Sequence, residues 1–174
     1  MNQGIHTVDL LLWLFGEVTR VSAATRTSFH SIAVEDTAVA CLEFASGAVG
    51  TREVTTPAYP GFPRRLEISG SNGTVIVEGD RLARVAVVTP MTWPQPWSEG
   101  NTNASASSPV VGDVRGHRRV IEDFIDAIRT GNDPLCDGRE GRRSIALVEA
   151  IYAAANAPNA ERTAAPRPLR ADTR

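Results

Sequence analysis

The chain has 174 residues, 42% of them hydrophobic and 22% charged, which is enough for one domain with its own core. No apolar run approaches the roughly 18 residues that a membrane-spanning helix needs. Eighteen basic against 20 acidic residues leave a net charge of −2 with no basic stripe, which argues against nucleic acid or an anionic membrane surface as a primary partner.

The first element reads as a helix. Ile5, Val8, Leu12 and Phe15 recur at helical spacing, Leu10, Leu11 and Leu14 widen the apolar face, and Gly16 ends it as a left-handed cap. The sequence predicts a mostly buried helix. Its pattern already runs through Asn2 to His6 without a lead-in, so the natural element is expected to begin upstream of Met1. From Val18 onward the period becomes two. Val18–Thr27, Thr37–Phe44, Ala48–Thr56, Arg65–Ser69, Thr74–Glu78 and Leu82–Val88 are rich in Val, Thr and Ile and read as an antiparallel meander. Ala45-Ser46-Gly47 and Gly70-Ser71-Asn72-Gly73 supply its tight hairpins. Between them Pro57, Pro60 and Pro63 surround Tyr59, Gly61 and Phe62, which favours an extended rim loop leaving the sheet.

Residues 89–116, with four prolines and a Ser/Asn-rich patch, form a long irregular excursion that reads equally as a lid or a mobile segment. Two helices follow. The first stacks Val120, Phe124 and Ile128 and stops at Gly131, while the second opens at Asp137 with Glu140 three residues on, as in a capping box. Both are expected on one face of a single sheet. Residues 157–174, rich in Pro and Arg, carry no periodicity and are expected to form an irregular tail beyond a folded unit spanning 1–156.

Every one of the 18 basic residues is arginine. The lack of lysine removes Schiff-base chemistry, a phosphate-loop lysine and a lysine general base from this chain. Glycine-rich dinucleotide and phosphate fingerprints are also missing. Cys41 and Cys136 are too few for a disulfide framework and lack zinc-site spacing, and no basic lead precedes Leu10–Phe15. A metal is therefore not expected, and the expected compartment is the cytoplasm.

The chemistry-bearing pattern lies on the first helix, where Asn2, His6 and Asp9 fall at i, i+4 and i+7 and share one face. A histidine there can exchange a proton with a substrate hydroxyl while an amide and a carboxylate hold that hydroxyl or fix the imidazole tautomer. The same line also reads as the solvated side of an amphipathic helix, and spacing alone does not choose. His117 follows Gly116 at the start of a helix, where it either points into a cleft or sits exposed in the first turn. Tyr59 reads as a packing lid or as a hydrogen-bond donor to a polyol. His30 reads as surface, as do the Arg64-Arg65 and Arg142-Arg143 pairs.

Several of these strings resemble one family. Asn2-Gln3-Gly4-Ile5-His6-Thr7-Val8-Asp9-Leu10-Leu11, continuing through Trp13-Leu14-Phe15-Gly16, is similar to the helix that opens the C-terminal part of Gfo/Idh/MocA-type oxidoreductases. Glu35-Asp36-Thr37-Ala38, Leu42–Gly47, Arg65–Gly70 with Gly73-Thr74, Phe124, Ala127-Ile128 and Gly138–Ala150 match in the same order. The resemblance implies an α+β domain, a largely antiparallel open-faced sheet with helices on one face, of the type in the C-terminal domain of glyceraldehyde-3-phosphate dehydrogenase. It implies an enzyme that oxidises a sugar or polyol hydroxyl with NAD or NADP, the cofactor being held by an N-terminal Rossmann domain supplied in cis or trans. No cofactor is expected on this chain alone, which is therefore expected to be inactive by itself. In the family's pattern His6 becomes the catalytic acid/base, with Asn2 beside it where many relatives carry a carboxylate. Asp9, Tyr59 and His117 become candidate substrate contacts, the last two by position only. The family's Glu-Lys-Pro lysine has no counterpart here. A homodimer or higher assembly through the open sheet is expected, and the competing reading is a non-catalytic carbohydrate-binding or assembly module.

Overall fold

The computed structural model describes residues 4–79, 81–89 and 114–157. The chain divides into two compact units, the first formed by the residues up to Thr55 together with those from Gly138, the second by Thr56–Asp137.

In the first unit, α1 (Ile5–Phe15) leads into a meander of β1 (Val18–Arg26), β2 (Thr37–Phe44) and β3 (Val49–Thr55), and α3 (Gly138–Asn156) closes it. Strand β2 is central, antiparallel to both neighbours. Its alternation sorts Ala38, Ala40, Leu42 and Phe44 inward and Val39, Cys41 and Glu43 outward. Period two places successive side chains on opposite faces, so this one strand defines both the core face and the open face. Helix α3 packs against β1 and α1. It buries Ser144, Leu147 and Ile151, spaced i, i+3 and i+7, while α1 contributes Val8, Leu11 and Leu12. The Phe15 and Phe44 rings meet at a centroid distance of 5.2 Å.

Two expectations about α1 change. It is buried along one stripe only, since it has α3 on one side, and Trp13 stays 77% exposed with Leu14 also exposed. Gly16 donates its N–H to Leu12 O at 3.0 Å, but with φ +80° and ψ −148° its conformation is not the left-handed helical one. That combination is open essentially to glycine alone, and it turns the chain directly into β1.

The second unit holds a separate meander, β4 (Arg65–Gly70), β5 (Gly73–Glu78) and β6 (Arg81–Val87), and α2 (Arg115–Thr130). The α+β antiparallel class matches expectation, but the strands form two three-stranded sheets, not one. Thr56–Arg64 carries three prolines, which have no N–H to donate to a ladder, and Gly61 at φ +83°, so β3 does not run on into a hairpin with β4. The Ser71-Asn72 turn brings Gly70 opposite Gly73. A Cβ on Gly73, at φ +141°, would lie 2.1 Å from the Ala86 carbonyl oxygen, so only glycine lets β6 approach. Arg65 ties the polar face together, reaching Glu78 across the strands at 2.8 Å and Glu67 along its own at 2.9 Å.

Helix α2 stops at Gly131, as its sequence predicts, and that glycine adopts the left-handed conformation (φ +71°, ψ +18°). Its Val120, Ile121, Phe124, Ile125 and Ile128 are exposed. The expectation that both late helices pack on one face of one sheet is therefore corrected. Helix α3 covers β1, whereas α2 belongs to the other unit and buries only Ala127.

Candidate functional site

The start of α1 is built around Gly4. Its carbonyl accepts the amides of Thr7 (3.1 Å) and Val8 (3.3 Å), and it also receives Nη2 of Arg52 from β3. Arg52 stands on the inward parity of its strand, opposite Ala40, whose small side chain leaves room for the guanidinium. Only 7% of Arg52 is exposed, and burial pushes its pKa down to about 10. The guanidinium thereby pins the turn from which His6 projects.

His6 lies exposed in that first turn, and Asp9 follows one turn on. Asp9 accepts a hydrogen bond of 2.8 Å at Oδ1 from the Ser144 hydroxyl of α3, and its Oδ2 has no partner among the described residues. The helix thus presents a solvent-facing imidazole beside a carboxylate fixed at one oxygen. An imidazole in that setting can take up or release a proton, and the free carboxylate oxygen can accept a hydroxyl. Asn2, the third member of the line, lies outside the described residues.

The loop between β1 and β2 is held by Asp36. Its carboxylate accepts the backbone N–H of Phe29 (2.7 Å), both oxygens take that of Ser28 (3.0 and 3.1 Å), and His30 N–H (3.0 Å) and the Thr37 hydroxyl (3.2 Å) complete the cage. These donors, the Phe29 amide foremost, hold the carboxyl well below the usual carboxylate range. The His30 ring sits 3.5 Å from the same carboxylate at its Nδ1, at the surface as its sequence context predicts. Next to it in sequence, Glu35 accepts the Tyr152 hydroxyl of α3 at 2.7 Å. Burial first, and the glutamate second, push that phenol up to about 12.

Tyr59 and His117 belong to the second unit. Tyr59 is 96% exposed before a cis peptide bond to Pro60, and His117 is exposed in the first turn of α2. Neither side chain hydrogen-bonds to another described residue. A shallow cleft of about 300 Å³ in the same unit is lined by Phe62, Pro63, Arg65 and Glu78, and the last two already satisfy each other.

Two residues that shape the site went unremarked in the sequence, although both left a signal there. Ser144 is a hydroxyl inside the apolar stripe of α3, and Arg52 is a charge on the inward parity of β3. A polar group at a core position needs a partner, so either breach of pattern points to one.

Among the described residues no group of three or more metal-binding side chains occurs, and no helix is long and apolar enough to cross a membrane. Every described ladder is antiparallel. No described strand leads through a glycine-rich turn into a helix, the arrangement in which a helix N-terminus receives a dinucleotide pyrophosphate.

Comparison with known proteins gives these features a context. Residues 1–159 match the family described as "Oxidoreductase family, C-terminal alpha/beta domain". The chain is 32% identical to D-apiose dehydrogenase of Paraburkholderia graminis over 160 residues, covering 87% of this chain and 41% of that protein. It is 24% identical over 153 residues to myo-inositol 2-dehydrogenase of Thermotoga maritima, covering 84% of this chain and 43% of that one. Among solved structures it is similar to the WlbA dehydrogenase of Bordetella pertussis in complex with NADH and UDP-GlcNAcA, at a TM-score of 0.70 and 34% identity over 89% of this chain and 41% of that one. The chain spans less than half the length of these relatives. Matched along nearly all of its described length, it belongs to the Gfo/Idh/MocA oxidoreductase family, through that family's C-terminal alpha/beta domain.

Proposed function

We propose that this chain is the substrate-binding and oligomerisation part of an NAD(P)-dependent oxidoreductase acting on a sugar or polyol hydroxyl. The observation that carries the reading is the exposed His6 at the pinned start of α1, one turn from an anchored Asp9 with a free oxygen. The names of the relatives, which include apiose, inositol and UDP-sugar enzymes, support the substrate class.

In this reading His6 accepts the proton of the hydroxyl being oxidised, or returns it in the reverse direction, and Asp9 accepts a neighbouring hydroxyl of the same substrate. Asn2 offers an amide that can orient the substrate but cannot take its proton. Tyr59 and His117 remain proposed substrate contacts, as does residues 1–156 as the functional unit. The redox half of the reaction falls to a Rossmann domain in cis or trans, because the described residues do not build its cradle. The open face of β1–β2–β3, with Val39, Cys41 and Val49 exposed, is the surface we assign to a homodimer or higher assembly. Two exposed free cysteines suit a reducing cytoplasm.

The test pairs the chain with a nicotinamide-binding domain of a relative and follows NADH formation with a panel of sugars and polyols. Turnover is expected in the pair and not in the chain alone, and His6→Ala is expected to lower kcat roughly 100-fold or more while leaving substrate affinity nearly unchanged. Unchanged turnover in His6→Ala would remove the acid/base assignment. Sugar binding without turnover in any pairing would instead support the non-catalytic module.

A further inference from the structure

Ser144 occupies a position where a hydroxyl is out of place. It is 4% exposed, on the stripe of α3 that also buries Leu147 and Ile151. A helical serine commonly returns its hydroxyl to a carbonyl one turn back. This one donates at 2.8 Å to Asp9, which is 135 residues away in sequence and on another helix. For packing alone, alanine would serve better at such a site, since it fills similar space, favours the helix and leaves no polar atom to satisfy.

We propose that Ser144 is a positioning residue for the site on α1. Its hydroxyl holds one oxygen of Asp9 and so fixes the side-chain rotamer. The second oxygen is thereby kept available to a substrate hydroxyl beside His6. Substrates with two neighbouring hydroxyls, as in polyols and sugar rings, gain most from this arrangement, because His6 serves one hydroxyl and Asp9 the other. Holding a catalytic constellation in place through an outer hydrogen bond removes rotamers that would otherwise have to be frozen at each binding event. The inference rests on the proposed function, but it concerns a residue that does not itself touch substrate.

The experiment uses the chain paired with the same nicotinamide-binding domain of a relative and compares Ser144→Ala, Asp9→Ala and the double variant. Ser144→Ala is expected to lower kcat/KM about tenfold, the factor one hydrogen bond to a charged group is worth. Its melting temperature is expected to stay within about 3 °C of the parent. In the Asp9→Ala background the same substitution is expected to change kcat/KM less than about twofold, since a residue acting through Asp9 has nothing left to position. If Ser144→Ala does not fold, Ser144→Cys, similar in volume with a much weaker donor, makes the same comparison. Parent-like kcat/KM in Ser144→Ala, or an equal loss in the Asp9→Ala background, overturns the positioning role. If His6→Ala retains full turnover, the proposed function itself fails, whereas loss in His6→Ala with no effect at Ser144 overturns this inference alone.

Discussion

Arg52 allows charge and packing to be separated at the start of α1. Burial lowers its pKa from an ordinary 12.5 to about 10. A depression of that size means the folded protein disfavours the charged form by roughly 3 kcal/mol. Against this stands the hydrogen bond from Nη2 to the Gly4 carbonyl, worth about 1.5–3 kcal/mol for a charged donor. When the guanidinium is removed, the Gly4 carbonyl keeps the amides of Thr7 and Val8. Arg52→Met retains most of the aliphatic stem, so it is expected to change stability by no more than about 1 kcal/mol, a shift in Tm of roughly 2–4 °C at this chain length. Arg52→Ala also removes the stem and is expected to cost about 2–4 kcal/mol. Thermal melts followed by circular dichroism distinguish the two. The burial penalty applies wherever arginine is charged in both the folded and unfolded states, and it fades only as pH rises above about 10. The methionine-to-parent difference should therefore be the same at pH 5 and pH 8. A methionine variant as unstable as the alanine one would refute the balance by showing that the buried charge is strongly stabilising.

Two further substitutions probe the loop at Asp36 and the second unit. Because the folded-state pKa of Asp36 is depressed, its contribution is present above the unfolded carboxylate value and is lost as pH falls through the folded one. Asp36→Asn is thus expected to lower Tm at neutral pH, with the gap from the parent narrowing in strong acid, and a gap independent of pH would contradict the assignment. Gly73→Ala would place a Cβ 2.1 Å from the Ala86 carbonyl oxygen at a φ of +141°, a clash with backbone that no side-chain movement relieves. We expect a loss of at least about 2 kcal/mol, seen as lost amide-exchange protection across β4–β6, and full protection in the variant would disprove the close approach.

Much of the architecture is readable from neighbouring residues. The alternation Ala38, Ala40, Leu42, Phe44 marks β2 and its core face without reference to any other segment. Gly47 and Gly73 mark the hairpins because positive φ selects glycine at those turns. The line from His6 to Asp9 is likewise local, since residues three and four apart on a helix share a face. Spacing could not say whether that face was solvated or functional, because the answer depends on what packs against it.

The length and the two periodicities by themselves determined helices and antiparallel strands, with a histidine and a carboxylate on the first helix, and the all-arginine basic set removed lysine chemistry. Only the tertiary structure decided that the six strands form two meanders, that α2 leaves its apolar stripe exposed, and that Asp9 is held by Ser144 while Arg52 pins Gly4. The physical reason is range. Turns and amphipathic periods are set by interactions within a few residues, whereas a hydroxyl on α3 meets a carboxylate on α1 only once the apolar stripes of both helices have packed together.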